Sequence, residues 1–167
     1  MALVGSSLGW APATQAHSSS RSSLACSGQE NTRYVPGLTV VPRSAVTRGN
    51  VTYTCTDRPG HTLAATSTIA GVSPHAACVG LKHSRVRETL HYADGGTSVI
   101  YYPTSFGTRI LGINTSHLEG TVIAGRYKGR GAVRNIQSLG GELPTACLTP
   151  EGLQYFTVRA NLQIDGG

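Results

Sequence analysis

The chain has 167 residues, 39% of them hydrophobic and only 13% charged, with a formal net charge of +6. That length supports one domain with a full core, and no run approaches the roughly 20 apolar residues of a membrane-spanning helix. Twelve of the fourteen cations are Arg, spread from Arg21 to Arg159 without a basic run or an aromatic-interleaved signature, so nucleic acid is not an expected partner.

In chain order, residues 1–16 (MALVGSSLGWAPATQA) are small and apolar and end in a sequence fit for cleavage before His17. They are expected to be the remnant of a secretion signal, although the basic segment that opens such signals is missing; the plain alternative is a disordered tail. Residues 17–24 form a Ser-rich arm without periodicity, expected to be flexible. Residues 25–167 are expected to form a single β domain. Val51–Thr56 alternates with Val51, Tyr53 and Cys55 on one face, and Thr62–Ile69 is again strand-prone. Residues 73–80 are expected to form a loop carrying Cys78. Val86, Glu88, Leu90 and Tyr92 share one face of a strand that turns at Asp94-Gly95-Gly96 and returns through Ser98–Tyr102, the clearest hairpin in the sequence. Tyr101 and Tyr102 should then put one ring in the core and one outside. A basic tip, Gly125–Gly131, separates two further strands. Phe156, Val158, Ala160, Leu162 and Ile164 alternate strictly with polar residues in the last one. No stretch keeps helical spacing for three turns. Short strands with regular Gly and Pro punctuation predict an all-β fold, an antiparallel β-sandwich of jelly-roll-like type.

Cys26, Cys55, Cys78 and Cys147 allow three pairings, and sequence alone does not decide among them. The expected pair of disulfides is Cys55–Cys78, a local clamp, with Cys26–Cys147 tying the two ends of the domain. A zinc site is disfavoured because no Cys-x2-Cys pair exists, and acylation of Cys26 would leave an odd thiol. Two disulfides point to an oxidising, extracellular setting.

No catalytic constellation stands out. There is no Gly-x-Ser-x-Gly elbow, the six histidines do not pair at metal-ligand spacing, and the few acids lie mostly in turns, so no enzyme, cofactor or metal is expected. Glu88 lies on the apolar side of its strand, so it must pair with an Arg or sit on an edge. The densest positive cluster is Arg126, Tyr127, Lys128 and Arg130 with Arg134 nearby. It is either a solvated hairpin end or a partner-binding patch, and loop tips do carry recognition. Arg21 and Leu24 are the possible anchors in the arm.

The stretch from Ala25-Cys26 through Tyr34-Val35-Pro36-Gly37-Leu38-Thr39 resembles the opening of small secreted β-sandwich proteins of filamentous actinobacteria. Val51–Cys55, His91–Ser98, Ala146-Cys147-Leu148, Glu151-Gly152-Leu153 and the terminal strand are similar as well. Some proteins of that group resemble the B component of the umbrella toxin particles of Streptomyces. That resemblance implies an adaptor linking the spoke of a large repeat toxin to lectin subunits, with the arm before Cys26 docking into the lectin. The expectation is therefore a secreted, non-catalytic protein–protein interaction module. The alternatives are a carbohydrate or cell-wall binder, or an inhibitor of a secreted hydrolase whose loop 73–80 fills a cleft.

Overall fold

The computed structural model describes residues 22–110, 113–139 and 143–165. The expected signal remnant, most of the expected arm and Arg21 lie outside the described residues. Eight antiparallel strands follow one another: β1 (Ser22–Leu38), β2 (Arg43–Arg58), β3 (His61–Ala77), β4 (Gly80–Tyr92), β5 (Thr97–Ile110), β6 (Ile113–Gly125), β7 (Gly131–Leu139) and β8 (Leu153–Asp165). Each pairs with its neighbours in sequence, and β1 pairs with β8, so the sheet closes into an up-and-down barrel. The class is all-β as expected, but the sandwich is corrected. A sandwich needs two separate sheets, whereas here β1 and β8 zip from Ser22↔Asp165 to Arg33↔Tyr155 and leave no seam.

Strands alternate inward and outward with a period of two. Val51, Tyr53 and Cys55 on β2 and Leu63, Ala65, Ser67 and Ile69 on β3 are buried, while Thr52, Thr54, Thr62, Thr66 and Thr68 are exposed. From Thr52 to Thr68 the outer face of these strands is carried mainly by threonines, unlike the apolar belt of a lipid-facing barrel. Tyr102 is fully buried and Tyr101 is 39% exposed, as the alternation predicts. The Asp94–Gly96 turn is also as expected: Gly95 takes φ +85°, a conformation that costs glycine nothing, and the Gly96 amide donates to the Asp94 Oδ1 at 3.1 Å.

Several strands are longer than the sequence pattern suggests. β3 runs through Gly71 to Ala77, so most of the expected loop 73–80 is strand, held by pairs such as Val72↔Arg85 and His75↔Lys82. The arm also ends earlier than expected. β1 begins at Ser22, and Leu24 pairs with Ile164 and is fully buried. It is therefore core and not a free anchor.

The interior divides into two apolar clusters. The larger contains Leu24, Cys26, Tyr53, Cys55, Leu90, Ile100, Tyr102, Val122, Leu162 and Ile164. The smaller contains Tyr34, Leu38, Ala45, Ala76, Cys78 and Cys147, with Leu81, Leu153 and Phe156 packed on it. It occupies the end where a short 3-10 helix, Thr145–Leu148, covers the barrel between β7 and β8.

Both disulfides differ from the expected pairing. Cys26 bonds Cys55, its direct cross-strand neighbour on β2, with Cα atoms 3.9 Å apart. Cys78 bonds Cys147, with Cα atoms 6.1 Å apart. The expected Cys55–Cys78 bond fails on distance. Cys55 faces Leu63 near the start of β3, and Cys78 lies just past the other end of that strand, about 50 Å away at 3.3 Å per residue. All four cysteines are bonded, the pattern of a protein that works in an oxidising setting. No helix is long and apolar enough to cross a membrane.

Candidate binding surfaces

Between the two clusters lies a layer of buried charge. Glu30 on β1, Glu88 on β4 and Arg134 on β7 are 3%, 0% and 1% exposed. Each sits at an inward parity position of its strand, Arg134 lying between buried Ala132 and half-buried Ile136. The Arg134 Nη2 donates to Glu30 Oε2 at 2.6 Å, and its Nε lies 3.3 Å from Glu88 Oε2 and 3.2 Å from the Tyr53 hydroxyl. Glu88 also accepts from Tyr53 at 3.1 Å, Ser67 at 2.8 Å and Tyr102 at 2.8 Å. Thr32 donates to Glu30 at 2.7 Å. Pairing Glu88 with an Arg was the expected alternative to an edge strand, and the partner is Arg134. That arginine is therefore not part of the basic tip.

Such a network survives in a low-dielectric interior only because its members satisfy one another. Burial alone would lower the Arg134 pKa, but Glu88 and then Glu30 outweigh it, and the guanidinium stays well above its ordinary value. Burial first, and Glu88 next, push the Tyr53 and Tyr102 hydroxyls far above theirs. Tyr34 is raised by burial and then by Glu30. Gly49 gives Glu30 its room: a Cβ there would stand 2.8 Å from Glu30 Oε1 and 3.2 Å from Ile69 Cβ.

Above this layer is a cavity of about 100 Å³. Glu30, Arg134 and Thr32 form its floor, Ser84 and Ser105 one wall, and Leu38, Phe156 and the Cys78–Cys147 bridge its upper lining.

The outer wall carries a second feature. Reading across the strands, Tyr155, Arg33 and Arg48 are successive partners on β8, β1 and β2, and the row continues through Ala70, Arg87 and Tyr101 on β3, β4 and β5. One step along, Val35, Val46 and Val72 form an exposed apolar row ending at Arg85. Arg33 stacks 5.7 Å from the Tyr155 ring centroid. Among the described residues none of Arg33, Arg48, Arg85 and Arg87 has a carboxylate partner. β1, β3, β4 and β5 present no outward acid at all, since Glu30 and Glu88 point inside. Like charges directly across a strand pair, such as Arg33 and Arg48, are destabilising.

The basic tip is mostly occupied with the barrel itself. Arg126 pairs with Asp94 at 2.9 Å and lies 4.7 Å over the Tyr92 ring. Tyr127 packs edge-on against the same ring at 6.5 Å and takes φ +64° to do so. Lys128 and Arg130 remain exposed.

Among the described residues no histidine stands in a group that could hold a metal ion. His61 lies against Asp57 at 2.5 Å and His117 against Glu119 at 2.9 Å. Hydrogen bonds to Glu119 and Asn135 raise the His117 pKa.

Sequence reasoning missed Glu30 and the outer band. Glu30 lay in a polar run, but its even spacing from Cys26, Gly28, Thr32 and Tyr34 put it on the inward face. The band was unreadable because its members come together only through cross-strand register. A comparison with protein-family models, curated proteins and solved structures finds no match.

Proposed function

We propose that this chain is an exported, non-catalytic interaction module that docks an acidic protein surface on its outer arginine–valine band. One observation carries the reading. Three exposed arginines, Arg33, Arg48 and Arg87, stand in one cross-strand row between two tyrosines, and a fourth, Arg85, ends the adjacent row of three exposed valines, all four without a carboxylate partner among the described residues. Carboxylates from a partner relieve the arginine repulsion through forked hydrogen bonds. The valines supply the apolar area that a polyanion alone would not use, and Tyr and Arg are the side chains most enriched at interface anchors. Support for binding over chemistry comes from the interior, where the charged groups are engaged with one another.

In its narrower form the proposal is an adaptor in an extracellular assembly, joining a large repeat toxin to lectin subunits. An adaptor needs two surfaces, and exposed Lys128 and Arg130 at the β6–β7 tip, outside the band, offer a second.

The test compares immobilised wild-type barrel with R33E/R48E/R87E in culture supernatant of the source organism. The expected result is an acidic protein held in fixed stoichiometry by the wild type, released by salt and lost from the variant. Equal retention on both would sink the reading, as would retention of glycan instead of protein. Simultaneous retention of two different subunits is the result expected of an adaptor.

A further inference from the structure

The cavity in the barrel mouth holds one group that the fold leaves unsatisfied. Ser84 is 6% exposed and lines the cavity, and its hydroxyl has no hydrogen-bond partner among the described residues. Leaving a buried hydroxyl unmade costs more than a typical hydrogen bond contributes. A serine that served packing alone would stand better as alanine. The adjacent Ser105 donates to the Ser84 carbonyl at 3.3 Å, so it does not relieve the hydroxyl.

The backbone is bent to place Ser84 there. The β4–β5 register breaks on both sides of the Ser84↔Ser105 pair. His83 takes φ +54°, a left-handed conformation uncommon for residues with a side chain, and its ring packs edge-on against Phe106 at 5.8 Å. Bulges at barrel rims re-aim side chains, and strain of this kind gathers at binding sites.

We propose that the mouth binds a compact neutral molecule, a single small ring or short chain with a hydroxyl or carbonyl head that meets the Ser84 hydroxyl. The size follows from the volume: about 100 Å³ in a cavity open at the mouth, the same order as the about 150 Å³ of an enclosed apolar cavity that admits benzene, so a small ring fits with one edge at the opening. The neutral head follows from the floor. Glu30 and Arg134, the charged residues that line the cavity, already bond each other at 2.6 Å, so a charged head would have to break that pair. The apolar body meets Leu38, Leu118, Val158 and Phe156. An eight-stranded barrel has an interior of the size that holds one small ligand. This site is separate from the outer band, and neither proposal depends on the other.

The test is a titration of the intact protein with phenol and with benzene, followed by backbone amide shifts. Phenol is expected to saturate, to move the amides of Ser84, Ser105 and Leu118, and to bind about tenfold more tightly than benzene, the worth of one hydrogen bond. Ser84→Ala is expected to abolish that preference while benzene binding persists, which also reports that the variant is folded. Three results would overturn the proposal: benzene binding as tightly as phenol to the wild type, a phenol preference that survives Ser84→Ala, or no saturation by either below about 20 mM.

Discussion

At the scale of residues, Arg134 holds the barrel interior together. It stands between two buried carboxylates that no other cation reaches among the described residues. Arg134→Ala leaves Glu30 and Glu88 facing each other without a counter-charge, and the expected loss is about 3–5 kcal/mol in urea unfolding. The buried tyrosines give a separate signature. Tyr34, Tyr53 and Tyr102 have hydroxyls raised above 10 in the folded state, by burial first. Their contribution to stability is complete below the unfolded value near 10 and falls away as pH rises beyond it, because only the unfolded chain then releases those protons. The absorbance rise of these three tyrosines is expected in one cooperative step together with unfolding at alkaline pH; their gradual titration ahead of unfolding would contradict this. Ser84→Ala should raise the unfolding free energy by about 1 kcal/mol, since it deletes an unpaired buried hydroxyl. A stabilising substitution that weakens ligand binding is what a group kept for recognition produces.

At the scale of elements, the two bridges act on different parts of the molecule. Cys26–Cys55 joins strands already paired along their length, and Cys78–Cys147 fastens the β7–β8 connection to the β3–β4 turn. Their sequence separations are 29 and 69 residues, so the chain-entropy account gives about 3.5 and 4.5 kcal/mol respectively. Cys78→Ala with Cys147→Ala is therefore expected to cost more stability than the other pair. It should also raise hydrogen exchange locally at Val40, whose amide donates to the Cys147 carbonyl at 3.3 Å. The individual strands were readable in the sequence wherever alternation was clean: the hairpin at Asp94–Gly96, the tip between β6 and β7, the terminal strand and the opposed tyrosines. The bridges were not, because pairing depends on which strand ends meet. Leu24 was assigned to an arm for lack of any local sign that Ile164, 140 positions later, would cover it.

At the scale of the whole molecule, closure decides the architecture. A sandwich and a barrel share the same local alternation and differ in whether the first strand meets the last, a contact no local pattern encodes. The charged layer follows from the same fact. Glu30, Glu88 and Arg134 come from strands one, four and seven and converge only when the sheet curls around them. Each gave a faint sign in sequence, a charge at inward parity, but the partner of each was legible only in the closed form. The outer band likewise needs five consecutive registers to be correct.

The β1–β8 pairing also sets Ser22 beside Asp165, adjacent strands being about 5 Å apart. The connectivity of the polypeptide is thus nearly circular, and its start point is arbitrary with respect to the sheet. A short glycine linker could join these two positions, with fresh ends opened at the exposed Lys128-Gly129 step, where a Cβ on Gly129 would meet nothing. Such a permuted chain should regain the same ladder, both bridges and a single unfolding transition, and circular dichroism with a thiol count would report it.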